Sequence, residues 1–140
     1  MKHRVFLIGG FEESMFLAQS LIKQGYAVTA INDSMEKCQM LASISHLQVF
    51  NGDGSNPEVL EQADIYNADL AMALTDRDDD NFVIAELCKK KYDVKYTISL
   101  VSDPKLIDFF KRMGVDVVIS AVSTIASILE GYVTGTQWTG

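Results

Sequence analysis

Four short stretches of this chain carry residue types suited to holding a phosphorylated ligand. The first is Gly9-Gly10-Phe11-Glu12-Glu13-Ser14. A G-x-G-x-x-G loop cradles a pyrophosphate because its second glycine lets the backbone come close and its third lets helix and strand pack tightly. Here Phe11 takes the place of the second glycine and Ser14 that of the third. Ser14 is small enough for the packing role, whereas Phe11 would crowd a pyrophosphate. Glu12 and Glu13 suit the positive end of a helix themselves, and so compete with a phosphate for it. The second stretch is Asn32-Asp33. An acidic residue about 20 positions beyond the glycines would hydrogen-bond a ribose diol. Either residue could do so, and either could equally form a turn or a helix cap. The third is Asn51-Gly52-Asp53-Gly54-Ser55, where Asp53 could accept from an adenosine or order the tight turn. The ligand role is favoured for Asp53 and Gly54, because their loop falls at a strand end. The fourth is Thr75-Asp76-Arg77-Asp78-Asp79-Asp80-Asn81. Its aspartates could supply oxygen ligands to a hard cation, but they lack the ordered spacing of a calcium loop and read better as a helix N-terminus. Thr75, with Asp76 and Arg77, is the expected ligand contact there.

No catalytic set accompanies these loops. There is no Ser/His/Asp or Cys/His pattern, and neither His3 nor His46 falls in the four stretches. Cys38 and Cys88 lack the clustered spacing of a zinc site, so they read as buried free thiols suited to a reducing cytoplasm.

The elements that must position these loops follow from periodicity. Short apolar runs at 5–8, 27–31, 47–50, 70–74, 96–101 and 117–119 predict six strands. Ser14, Leu17, Ala18, Leu21 and Ile22 recur at helical spacing, with Gly25 just past the helix end. Further helices are predicted over 35–42, from Asn56-Pro57, over 79–91, from Asp103-Pro104 to Gly114, and over 123–133. Strands alternating with helices demand parallel pairing through right-handed crossovers, and continuous apolar strands demand cover on both faces. The expected fold is therefore α/β: one Rossmann-like, doubly wound, six-stranded parallel sheet ordered 3-2-1-4-5-6, a single domain over 1–133. Residues 134–140 are a polar tail or the start of a linker. In such a sheet ligands bind beyond the carboxyl ends of the strands where strand order reverses, and all four stretches lie there.

Composition bounds the rest. The 140 residues are 48% hydrophobic, enough for one core. A net charge of −7 argues against a nucleic-acid surface. The basic cluster Lys89-Lys90-Lys91 suits a helix C-terminus better than a docking patch. No run approaches the roughly 18–20 apolar residues of a membrane span, so any membrane role must come through a partner. The last helix places Val122, Ile125, Leu129 and Tyr132 on more than one stripe, with Ala126, Ile128 and Val133 beside them. Such a helix wants burial on several sides, which fits a partner chain better than double packing inside its own domain.

With these features assembled, the chain resembles the TrkA N-terminal, or RCK (regulator of K⁺ conductance), family. The resemblance rests on residues 5–10 with the following helix, on Asn51-Gly52-Asp53-Gly54-Ser55 with Val59-Leu60, on residues 73–81, and on Asp103-Pro104 leading to Gly114-Val115-Asp116 and Ile119-Ser120. It implies a cytoplasmic regulatory subunit lying against the inner face of the membrane beneath a K⁺ channel or transporter. It further implies a crevice for NAD(H), ATP, ADP or AMP, and a homodimer or higher ring joined through the last helix. The chain departs from the family pattern at Phe11, Glu12, Ser14 and Asn32, and at Leu100, where many members carry arginine. These departures widen the expectation from a dinucleotide to an adenine mononucleotide. Two alternatives follow: an assembly module of the same fold without a nucleotide, and, less favoured, a small NAD(P)-dependent oxidoreductase.

Overall fold

Strand β1 (Arg4–Ile8) sits at the middle of the sheet and shows why it must be covered twice. Side chains alternate across a strand, and both sets are apolar. Phe6 and Ile8 enter one buried cluster, while Val5 and Leu7 enter another. The computed structural model describes residues 2–137. The remaining strands are β2 (Ala27–Asn32), β3 (Gln48–Asn51), β4 (Leu70–Ala73), β5 (Tyr96–Val101) and β6 (Val117–Ser120). All pair in parallel in the order β3-β2-β1-β4-β5-β6, as the alternation predicts.

The helices are α1 (Glu12–Lys23), α2 (Met35–Leu41), α3 (Pro57–Gln62), α4 (Asp78–Glu86), α5 (Ile107–Arg112) and α6 (Ala121–Thr134). Leu17, Ala18, Leu21 and Ile22 of α1 cover one sheet face. Leu60 of α3 and Ile84 of α4 cover the other. A third cluster joins Phe82 and Ala85 of α4 to Val101, Phe110, Val115 and Val118 at the β5–β6 side.

Helix starts follow local chemistry. Ser34 caps α2 by accepting from the Lys37 N–H, and Asn56 caps α3 ahead of Pro57. Ser120 caps α6, which begins two residues earlier than its apolar pattern suggests and ends at Thr134 rather than 133. Residues 138–140 of the expected tail lie outside the described residues. Gly25 and Gly114 follow their helices with positive φ.

Two elements differ from their expected form. The helix predicted from Asp103-Pro104 opens with a 3-10 turn over Pro104–Leu106 before α5. The helix predicted over 79–91 is α-helical only to Glu86 and then widens into a π turn over Leu87–Lys91. The wider turn lets the Tyr92 N–H reach the Leu87 carbonyl and the Val94 N–H reach that of Cys88, around Asp93 at positive φ. Both Cys88 and Tyr92 are then fully buried. The Tyr92 hydroxyl donates to Glu61 at 2.7 Å, and burial together with that carboxylate raises its pKa. Cys88 and Cys38 are free thiols, both buried as expected. Burial pushes the Cys88 thiol up to about 12, which leaves it unreactive at neutral pH. The lysines of this turn are matched to carboxylates: Lys89 to Asp116 at 2.7 Å, Lys90 to Glu86 at 2.6 Å and Lys91 to Glu61 at 3.7 Å.

Candidate functional site

The carboxyl ends of β1 and β4 are adjacent, and their connections run to opposite faces of the sheet. Between them opens a crevice of about 680 Å³, within the range of small-ligand sites. Gly9, Gly10, Phe11, Glu12, Glu13, Asn32, Asp33, Asp53, Gly54, Thr75, Asp76 and Arg77 all line it. Topology alone gathers these twelve residues from four loops.

The first loop is shaped by its neighbours. Gly9 has φ +81°, and a Cβ there would lie 2.4 Å from Thr75 Cγ2. Gly10 has φ +68°, and its Cβ would lie 2.9 Å from the Leu74 carbonyl oxygen. Both glycines therefore let the β1 loop press against the β4 loop. The loop's two carbonyls are engaged inside the protein. The Ser14 hydroxyl donates to the Gly9 carbonyl at 2.8 Å, and Asn32 Nδ2 donates to that of Gly10 at 2.6 Å. Phe11, the residue before α1, is half-buried at the crevice edge and offers no side-chain cap to that helix. The first N–H groups of α1 lack intrahelical acceptors by geometry, and the exposed carboxylates of Glu12 and Glu13 stand beside them.

The second loop separates two residues that the sequence left equivalent. Asn32 is 4% exposed. Besides bonding Gly10, it accepts from the Ser34 N–H at 2.9 Å, so its amide braces the loop. Asp33 is exposed in the crevice. In the third loop Asp53 lines the crevice while one of its oxygens accepts from the Ser55 N–H and hydroxyl, so it also orders the turn. Gly54 is required by packing, since a Cβ would meet Ile8 Cγ2 at 2.2 Å.

The fourth loop is organised by Asn81, whose side chain is completely buried. Asn81 Oδ1 accepts from the Thr75 N–H at 3.0 Å and the Thr75 hydroxyl at 2.7 Å. Its Nδ2 donates to the Thr75 and Leu100 carbonyls, each at 3.0 Å. One amide thus ties the end of β4 to the end of β5. Asp78 adds a second tie by accepting from the Ser102 and Asp103 N–H groups. Arg77 bonds Asp79 at 3.0 Å and stands 3.4 Å from Asp80. These carboxylates hold the guanidinium pKa up, and Arg77 in turn holds that of Asp79 down.

Sequence reasoning missed Lys37. It lies in the first turn of α2, lines the crevice, and places Nζ 5.9 Å from the centre of the Phe11 ring. The available signal was its position three residues after the Ser34 cap, on a helix that starts at a strand's carboxyl end. Asp80, Leu100, Ser102 and Val122 also line the crevice. The crevice wall therefore carries six carboxylates (Glu12, Glu13, Asp33, Asp53, Asp76, Asp80) and two cations, Lys37 and Arg77. Among the described residues no group of three or more His, Cys, Asp or Glu side chains is arranged to hold a metal ion.

Helix α6 borders the crevice only at its start, through Ala121 and Val122. No residue of it is buried. Val122 and Tyr132 are 70% and 75% exposed, and Ile125, Ile128, Leu129 and Val133 are all more than half exposed. Packing twice within its own domain is thereby ruled out. No helix among the described residues is long and apolar enough to cross a membrane.

Comparison with known proteins agrees with this architecture. The family model described as the TrkA-N domain matches residues 5–121. The Trk system potassium uptake protein TrkA homolog of Methanothermobacter thermautotrophicus is 35% identical over 130 residues, covering 93% of this chain. The chain spans 60% of that relative's length. Two solved structures share the fold. The TrkA-N domain of the inner membrane protein ybaL from Escherichia coli superposes with a TM-score of 0.84 at 14% identity, covering 94% of this chain and 97% of that one. The Kef CTD of Shewanella denitrificans in its AMP-bound form gives 0.78 at 23% identity, covering 96% and 84%.

Proposed function

Because this chain belongs to the TrkA-N domain family, we propose that it is a regulatory domain of a potassium channel or transporter that binds an adenine nucleotide in the β1/β4 crevice and is not an enzyme. The observation that carries the reading is the convergence of the four predicted loops on one crevice at the reversal of strand order. The residues there suit binding. They offer Asp33 and Asp53 as hydrogen-bond acceptors, the α1 N-terminus, and a lysine. No histidine or cysteine lines the crevice to act as base or nucleophile. The potassium-uptake name of the 35%-identical relative and the AMP-bound Kef domain support the same class.

Regulation needs a route from ligand to partner. Helix α6 offers one, since its first turn lines the crevice and its length is an exposed apolar rod. In this reading α6 packs against a second copy in a homodimer or larger ring. A change at the crevice then alters the angle between domains, and the ring sits against the inner face of the membrane through its transport partner. NAD(H), ATP, ADP and AMP are the candidate ligands.

The test is a thermal-shift series with NADH, NAD, ATP, ADP, AMP and buffer. A ligand present at about 100 times its Kd adds about 2.7 kcal/mol, equivalent to several degrees for a domain of this size. A shift with any of them supports a sensor. No shift at millimolar concentration favours the second reading, an assembly module without nucleotide, to which Phe11 at the crevice edge lends a specific observation.

A further inference from the structure

The crevice has a charge pattern unlike that of a polyphosphate site, and this bears on which adenine ligand it accepts. Six carboxylates line it. Of the two cations, Arg77 is occupied by Asp79 and Asp80. Lys37 forms no ion pair among the described residues, and its ammonium faces the Phe11 ring. Phe11 stands where a dinucleotide loop has the glycine that admits a pyrophosphate. The α1 N-terminus, the usual attraction for a phosphate, already has Glu12 and Glu13 in its first turn. Leu100, at the β5 end, adds an apolar surface to the wall. Lys37, the one free cation among the described residues that line the crevice, can balance one phosphate group, and each further negative charge meets the carboxylates.

We infer that this crevice ranks adenine ligands by charge, taking adenosine or its monophosphate ahead of the di- and triphosphates, with Lys37 as the cation that meets the single phosphate. The inference rests on the nucleotide-binding reading above and narrows it to a ligand class. Four net negative charges at about 10 Å weaken binding by about two- to tenfold for each added ligand charge near physiological salt. The effect grows as salt is lowered, because screening weakens.

The experiment is calorimetric titration of the full chain with adenosine, AMP, ADP, ATP and NAD in EDTA, repeated at low and high NaCl. AMP is expected to bind more tightly than ADP, and ADP more tightly than ATP. The AMP-to-ATP ratio should be widest at low salt. Lys37→Gln, at an exposed position, should weaken AMP more than adenosine. Glu12→Gln with Glu13→Gln should bring ATP closer to AMP. Tightest binding by ATP or NAD, with affinity falling as salt rises, would overturn the charge ranking while leaving the nucleotide reading intact. An equal loss for AMP and adenosine in Lys37→Gln would overturn the role of Lys37. Absence of binding by all five ligands would overturn the nucleotide reading itself and this inference with it.

Discussion

Replacing Asn81 should cost more stability than any other single polar substitution at the crevice, and two variants separate the reasons. The wild-type amide makes four hydrogen bonds while wholly buried. Asn81→Ala removes all four. The Thr75 hydroxyl keeps its contact with the Arg77 carbonyl at 3.1 Å. The Thr75 N–H and the Thr75 and Leu100 carbonyls lose their side-chain partner. At about 1 kcal/mol for each lost bond, and more for a stranded donor, the cost comes to about 3–5 kcal/mol. For a domain of this length that lowers the melting temperature by about 10 °C or more. Asn81→Asp keeps the acceptor toward Thr75 but aims a second oxygen at two carbonyl oxygens. Its carboxylate is disfavoured in the folded state, so its pKa rises on folding. The cost is therefore full at neutral pH and relieved as pH falls through the raised value, where the neutral acid can donate. Chemical denaturation from pH 7 down to 5 reads this directly. The Asp variant's deficit should narrow while the Ala variant's stays level. A loss under about 1 kcal/mol in Asn81→Ala would refute the view that one amide holds the β4 and β5 ends together. A pH-independent deficit in Asn81→Asp would refute the donor assignment.

Other outcomes follow from the same geometry. Gly9→Ala combines positive φ with a clash against Thr75, whereas Gly25→Ala has the positive φ with nothing within 4 Å. Urea unfolding should show Gly25→Ala costing about 1 kcal/mol and Gly9→Ala at least twice that, and equal costs would remove the loop-packing account. Ile125→Asp should abolish self-association by sedimentation without lowering the monomer's stability, because α6 buries no residue of its own. An unchanged sedimentation coefficient would remove α6 as the interface. Burial works to raise the Asp116 pKa, but hydrogen bonds from Lys89 and the Thr97 N–H outweigh it and leave it below 3.8. Its contribution is thus present above that value and lost as pH falls through the lower folded-state value. The stability gap between wild type and Asp116→Asn should hold from pH 7 to about 4 and close below that, and a gap that widens in acid would contradict the assignment.

Much of the fold was legible because it depends on local pattern. Apolar strands alternating with amphipathic helices admit only parallel pairing with cover on both faces, and β1 with its two buried sides is the plainest case. That topology fixes which loops meet at the carboxyl end of the sheet, so the sequence alone points to the twelve residues that line the crevice. The π turn at Leu87–Lys91 was not legible, because it accompanies the burial of Cys88 in the core and of Tyr92 against Glu61 and Pro57, residues of α3.

What the tertiary structure decided is the partner of each polar group. Asn32 and Asp33 have equivalent claims to a ribose on sequence, and only the approach of Gly10, 22 residues away, commits Asn32 to the loop and leaves Asp33 in the crevice. Asn81 looks like one more polar residue in an acidic helix start until Leu100 arrives beside it from β5. Lys37 enters the site only because α2 docks with its first turn toward Phe11. The residues of α6 already pointed to a partner, but only the fold shows that its own domain leaves the helix uncovered, since a helix carries its hydrophobic pattern whether or not its own domain supplies a surface to cover it. Periodicity is a property of neighbours along the chain, whereas hydrogen-bond partners and burial depend on residues that only folding brings together.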